Sequence, residues 1–258
     1  MQHKPVIKPF GSPFIELLTV DSTNNYALSL SREGMAQHGT AIFAHEQTAG
    51  KGQMGRQWLT EKGANMALSI VLQPKPLQLS QQFQLSACIA VAVHKFYSNY
   101  AGEDTKIKWP NDLYWQDRKA GGILIESIVG SGEAGVGSWK WAVAGIGLNI
   151  NQTEFSPDLP NPVSLKQITG KNFDSVQLAK ELCSSIDHYF TWLINDGFAD
   201  IYKEYNDCLY KLNETVKLKK NNSVFITTIK GVSPAGQLIT YNDSMEERFE
   251  FGEVTWMI

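Results

Sequence analysis

A chain of 258 residues, 43% hydrophobic and 19% charged, can bury a substantial core and has the composition of an ordinary globular protein. A formal net charge of -3 argues against a general nucleic-acid binder, and cysteines at 88, 183 and 208, with no CxxC pair, suggest neither a disulfide framework nor a zinc site. No apolar run approaches the ~20 residues of a membrane helix, no basic region followed by an apolar stretch marks a signal peptide, and the histidines show no HxH or HExxH spacing, so the cytoplasm is the expected compartment.

The first helix start is Val20-Asp21-Ser22-Thr23-Asn24-Asn25-Tyr26-Ala27, where small polar residues suited to N-capping precede a helix-compatible stretch. A short strand over 40–45 enters the glycine-rich segment 49–56, and a strand-length run over 65–72 is closed by Pro74 and Pro76. From 80 to 97 the apolar residues Phe83, Leu85, Ile89, Ala92, Val93 and Phe96 fit a helix packed on a sheet. Strands are expected over 106–109, 113–115, 122–129 and 139–150, with the glycine-rich stretch 130–138 as a flexible hairpin loop. Leu178, Ala179, Leu182, Ile186, Tyr189, Phe190 and Leu193 recur at helical spacing over 175–193. Cys88 and Cys183 fall in apolar helical patterns and read as small core residues. After about residue 210 come short strands over 215–218, 224–230, 237–241 and 247–255, the texture of a small β-barrel. The expected fold is α+β, a mixed β-sheet with helices on one side over 1–210 and a β appendage over 211–258.

Four segments carry chemistry. In Ala49-Gly50-Lys51-Gly52-Gln53-Met54-Gly55-Arg56, followed by Trp58, glycines let backbone N–H groups face an anion while Lys51 and Arg56 supply charge. It is neither a Walker A loop nor a GxGxxG fingerprint, and alone it is equally a surface turn. In Lys108-Trp109-Pro110-Asn111-Asp112 a turn at the sheet edge presents a carboxylate that could hold Mg²⁺ through water, or merely connects two strands. Lys119-Ala120-Gly121-Gly122, ahead of Ile123 to Glu126, holds a lysine at the lip of the sheet, facing an anion or solvent. Gly145-Ile146-Gly147-Leu148-Asn149-Ile150-Asn151 is a strand whose glycines permit close approach of another group, and Asn149 offers the donor and acceptor that an adenine edge requires.

In order, DSTNNYA, EQTAGKGQMGRQW, KWPNDLYW, KAGGILIE and GIGLNIN resemble the biotin–protein ligase family from about residue 14 to 210. The tail ending Gly252-Glu253-Val254 is similar to that family's small SH3-like barrel. The resemblance implies a catalytic fold of the class II aminoacyl-tRNA synthetase and biotin ligase type. It makes Ser22, Thr23 and Asn24 a biotin-contacting turn, with Gln47 also bonding the biotin head group. It places Lys51, Gly52 and Gln53 in a loop over the biotin carboxylate and the adenylate phosphate, and Lys119 near that carboxylate. Arg56 matches the position that reaches the ATP phosphates, Trp58 the aromatic against adenine, and Asn149 the residue reading adenine. Lys108 and Asn111 join the ATP-binding set, and Asp112 and Glu126 are candidates for Mg²⁺. Lys51 and Gln53 stand where arginine is common in the family; Lys51 keeps the charge but loses bidentate geometry.

These resemblances imply an ATP-dependent reaction in two steps. The biotin carboxylate attacks the α-phosphate of ATP, giving biotinyl-AMP and pyrophosphate, and a lysine ε-amine of a biotin carboxyl carrier protein then takes the biotinyl group. Lys51, Arg56 and Lys119 would neutralise the meeting anions. About twenty residues precede the DSTN motif, too few for a DNA-binding domain, so a ligase without operator binding is expected. A strand edge could pair with a second copy to give a homodimer. The rival readings are a lipoate–protein ligase and a non-catalytic biotin- or nucleotide-binding regulator.

Overall fold

The computed structural model describes residues 9–130, 138–242 and 245–257. The expected hairpin loop over 130–138 falls, apart from its end residues, outside them, as does the start of the chain over 1–8 that was read for a signal peptide.

Two sheets organise the described residues. The first has seven strands in the order β1 (Phe14–Leu17), β2 (Ala41–Ala44), β3 (Met66–Leu72), β7 (Ser138–Leu148), β6 (Arg118–Gly130), β5 (Asp112–Trp115) and β4 (Thr105–Lys108). β1 runs parallel to β2 and every other neighbouring pair is antiparallel, so the sheet is mixed as expected. The second sheet is antiparallel, in the order β11 (Met245–Phe249), β10 (Leu238–Asn242), β9 (Ser223–Val232), β8 (Thr215–Lys220) and β12 (Thr255–Trp256), consistent with an SH3-like arrangement. The expected single strand over 247–255 is instead the end of β11, a turn and the start of β12. Gly252, at φ 87°, takes the left-handed turn that breaks it.

Successive side chains of a strand point to opposite faces of its sheet, and the two faces of the first sheet are covered differently. Phe43, Met66, Leu68, Ile70, Leu72, Ala144, Ile146 and Leu148 join the large core formed with α2 (Gln82–Ala101) and α4 (Ser175–Ile194). Cys88 and Cys183 are buried in that core. On the opposite face Ile42, Val71 and Val143 pack with Ala27 and Leu28 of α1 (Thr23–Arg32). Helices therefore cover both faces, a correction to the one-sided packing expected. α1 buries only a narrow apolar stripe in a helix otherwise rich in Asn and Ser, and that polar composition concealed its docking. It also leaves the rest of its face of the sheet open.

Three elements went unread: β1, α3 (Leu165–Thr169) and α5 (Phe198–Asp207). In α5 only Ile201 and Tyr205, one turn apart, are fully buried, so the apolar signal is two residues wide. α5 matters because it anchors the second sheet. The Tyr202 hydroxyl donates to the Val232 carbonyl at 2.7 Å, and the Val232 N–H donates to Asn206 Oδ1 at 2.7 Å. The Trp109 indole N–H, beside the β4–β5 turn, donates to the Gly236 carbonyl at 2.9 Å.

Candidate active site

The open part of the α1 face forms a strip whose floor is set by register. Gly145 pairs with Ser69 on one side and Leu124 on the other; Gly147 pairs with Ala67 and Gly122. A Cβ at Gly145 would overlap the Asn24 side-chain amide, and one at Gly147 would overlap the Trp58 indole ring. The two glycines thus seat Asn24 and Trp58 directly on β7, which names the groups whose close approach the sequence could only anticipate.

At the α1 end, Ser22, Thr23 and Asn24 are buried. Ser22 is the N-cap residue, yet its hydroxyl accepts no hydrogen bond from the first turn, so it is not consumed by the usual capping role. Gln47 Oε1 accepts from the Thr23 N–H at 2.8 Å and from the Thr23 hydroxyl at 3.1 Å, which turns the Gln47 amide nitrogen outward as a donor. The Ser69 hydroxyl lies 2.7 Å from Thr23 Oγ1 and 2.6 Å from Asn24 Oδ1, one proton serving both acceptors. Asn24 Nδ2 donates to Glu126 Oε2 at 2.8 Å, and Glu126 Oε1 lies 3.6 Å from the Lys51 ammonium. A continuous polar chain therefore runs from Gln47 to Lys51. Ser69 is the member that sequence reasoning missed; its signal is a lone hydroxyl in the apolar run Met66–Leu72.

The glycine-rich segment folds back on itself. The Trp58 N–H donates to the Gly50 carbonyl at 2.9 Å, Lys51 bridges to Gln57, and the Gly52 N–H donates to the Arg56 carbonyl at 2.7 Å. Gln53–Gly55 form the tip, where Met54 and Gly55 take positive φ of 54° and 75°. Lys51 and Arg56 are exposed on this flap, and Trp58 is carried down onto Gly147. The Trp58 indole N–H is buried without an acceptor. Such a donor costs free energy until something accepts from it.

Beyond Trp58 the strip is charged. Lys119 lies 6.0 Å from the Trp58 ring and pairs with Asp112 at 2.7 Å. Lys108, opposite Asp112 in the β4–β5 register, has its pKa held down to about 8, chiefly by desolvation, with Lys119 and Arg56 adding repulsion and Asp112 opposing. Four cations, Lys51, Arg56, Lys108 and Lys119, thus meet two carboxylates along one strip.

The two carboxylates, Asp112 and Glu126, stand apart along the strip. Asp112 pairs with Gly122, and Glu126 lies four residues further along β6, about 13 Å at the rise of an extended strand. No group of three metal-ligating side chains occurs among the described residues. Within the described residues each carboxylate steadies a lysine, Asp112 that of Lys119 and Glu126 that of Lys51.

Asn111 and Asn149 are tied to the framework. Asn111 Nδ2 donates to the Ile123 carbonyl at 2.5 Å, while the Ile123 N–H donates to the Asn111 carbonyl at 2.9 Å, locking the turn to β6. Asn149 is buried just past β7, and its Nδ2 donates to the Lys119 and Val163 carbonyls at 3.3 and 3.1 Å. Its amide hydrogens are committed to the backbone, so only Oδ1 remains for a ligand; holding the Lys119 backbone in place is what the geometry gives it. Hollows elsewhere, one lined by His188, Thr191, Trp192 and Asn195 and another around His94 and Lys106, include none of these residues.

Comparison with known proteins places this arrangement. Residues 17–140 match the model of the Biotin/lipoate A/B protein ligase family. The chain is 32% identical over 231 residues to the biotin--[acetyl-CoA-carboxylase] ligase of Paracoccus denitrificans, covering 86% of this chain and 92% of that protein. It is 28% identical over 249 residues to the bifunctional ligase/repressor BirA of Escherichia coli, covering 95% of this chain and 74% of that one. Among solved structures, the biotin protein ligase from Aquifex aeolicus in complex with biotin and ATP superposes with a TM-score of 0.78 at 27% identity, covering 94% of this chain and 97% of that chain.

Proposed function

This chain belongs to the biotin–protein ligase family, and from that premise we propose how its own residues divide the work of an ATP-dependent biotin–protein ligase. The enzyme activates biotin to biotinyl-5'-AMP and passes the biotinyl group to a protein lysine. The observation that carries the reading is the strip on the open face of the sheet: a buried polar pocket at one end, unneutralised cations at the other, and Trp58 between them.

In this reading the biotin head group sits against Ser22, Thr23, Asn24 and the outward amide of Gln47, with Ser69 holding Thr23 and Asn24 in place. The adenine ring lies with Trp58, and the phosphates lie toward Arg56 and Lys108. Biotin's carboxylate and the α-phosphate then meet between Lys51 and Lys119, beneath the flap of Gly52 and Gln53. Two anions repel, so the rate depends on neutralising both at the moment of attack. Preformed pairs with Asp112 and Glu126 keep Lys119 and Lys51 aimed at the strip before substrates arrive. The carboxylate oxygen forms a bond to the α-phosphorus, and pyrophosphate departs with the electrons of the broken P–O bond. In the second step a carrier lysine, having lost its proton, attacks the mixed anhydride and releases AMP. No side-chain nucleophile is needed, and burial raises the Cys88 and Cys183 thiols far above the neutral range.

We assign the strip to a catalytic domain over 1–210, with 211–258 as a second domain set against it. The acceptor is a biotin carboxyl carrier protein or domain, and the compartment is the cytoplasm. Among the described residues no helix is long and apolar enough to cross a membrane.

The test isolates the first step. With biotin and ATP but no acceptor, the protein should form biotinyl-adenylate and exchange pyrophosphate into ATP. Lys119→Ala should slow that exchange roughly 10²–10³-fold, the scale for removing one stabilising group from a transition state, while still binding biotin. Exchange at the wild-type rate in the variant would remove Lys119 from the chemistry.

A further inference from the structure

The phosphate end of the strip is built partly from the far end of the chain. Lys108, the last residue of β4, is half-buried, and its ammonium makes no ion pair and no hydrogen bond among the described residues. Asp112, the carboxylate opposite it in the β4–β5 register, is engaged by Lys119 at 2.7 Å. What surrounds the Lys108 ammonium is aromatic: it lies 4.9 Å from the Tyr114 ring centroid and 5.3 Å from that of Trp256. Trp256 belongs to β12, a two-residue edge strand held by the pairing of Trp256 with Leu218 of β8. Tyr210 backs both rings, at 5.8 Å from Trp256 and 5.0 Å from Tyr114, and its hydroxyl donates to Asp117 at 2.7 Å. The turn that leads into β12 also meets the flap, because the Met54 methyl lies against Gly252.

Ring faces and carboxylates hold an ammonium in different ways. A carboxylate neutralises the charge and competes with any incoming phosphate. A π face attracts the cation through its quadrupole and leaves the net charge intact. Lys108 is therefore oriented without being spent, and the ring that Tyr114 does not supply comes from the second sheet. The Trp256 indole N–H is itself buried without an acceptor, so no hydrogen bond accounts for the ring's position.

Building on the reading that ATP phosphates bind at Lys108, we infer that Trp256 is a positioning residue for ATP: its ring holds Lys108 over the phosphate end, and the last strand of the chain completes the active site. Trp256 acts through Lys108 and takes no part in the biotin pocket. Among the described residues none of the hydrogen bonds that link Gln47, Thr23, Ser69, Asn24 and Glu126 involves Trp256 or Lys108, so its effect is confined to one substrate.

The test compares two substitutions in the full chain. Trp256→Leu keeps an apolar side chain against Tyr210 but removes the π face; Trp256→Phe keeps a face and removes the indole N–H. The KM values for ATP and biotin are measured separately in pyrophosphate exchange, with thermal melting to confirm that both variants fold. W256L should raise the KM for ATP roughly fivefold, the affinity equivalent of one cation–π contact, and leave the KM for biotin unchanged; W256F should restore most of the ATP affinity. An unchanged KM for ATP in W256L, equal rises for both substrates, or W256F behaving like W256L would each overturn the role of Trp256. Wild-type protein that exchanges no pyrophosphate would instead overturn the reading on which it rests.

Discussion

Lys108 makes the most specific statement at the scale of one residue. Burial holds its pKa down to about 8, well under the ordinary lysine value near 10.4. Below about pH 8 the side chain is a cation and can attract phosphate. As pH rises through 8 the charge is lost in the free enzyme, so kcat/KM for ATP should fall with a midpoint near that pH, because this ratio reports ionisations of the unliganded protein. Lys108→Arg, which stays charged, should keep the profile level to about pH 10. A wild-type profile already level to pH 10 would mean that Lys108 does not carry this charge. The sequence placed Lys108 in a chemical motif but could not show its missing partner. That fact depends on Trp256, far along the chain, and on Lys119 having claimed Asp112.

At the scale of an element, β7 decides which substrate group goes where. Gly145 and Gly147 are two residues apart and share a face, and each seats one side chain against the strand. Gly145→Ala should push Asn24 off Ser69 and Glu126, raising the KM for biotin; Gly147→Ala should lift Trp58 and raise the KM for ATP. Each methyl overpacks a tight contact, for which about 1–3 kcal/mol is the usual cost, so tenfold effects or more are expected. Separate titrations of the two substrates check this, and an equal rise in both KM values for either variant would contradict the division. The glycines themselves were legible, since glycine inside a strand signals close approach. Their occupants were not, because Asn24 and Trp58 arrive from α1 and the flap. Ser69 was hidden for a related reason: one hydroxyl in a seven-residue apolar strand looks like noise until its neighbours are known. At Asn111 and Asn149 motif membership could not show that each side-chain amide nitrogen also donates to backbone carbonyls, which ties the motif to the framework.

Across the whole molecule, the order of motifs carried more than their individual chemistry. Five weak segments in sequence pointed to the family, and the run of predicted strands and helices to a mixed sheet and a β appendage, both of which are present. Less legible was how the two sheets meet. Trp109 bonding to Gly236, Met54 against Gly252 and Trp256 over Lys108 are contacts between distant segments with no local signature. The contact of Met54 with Gly252 brings the flap of residues 49–57 against the second sheet, where closing over an adenylate would exclude water. Cleavage by a protease within 49–57 should therefore slow when biotin and ATP are both present, and equal cleavage with and without them would argue against closure.

The central claim is that this face of the sheet couples biotin, and not a neighbouring acid, to a carrier lysine at the expense of ATP. Mass spectrometry of an apo biotin carrier domain, incubated with the protein, ATP, Mg²⁺ and either biotin or lipoate, tests it most directly. The account predicts a carrier whose mass increases by one biotinyl group with biotin and is unchanged with lipoate. A carrier that gains lipoate, or gains nothing while the protein demonstrably binds biotin, would contradict it.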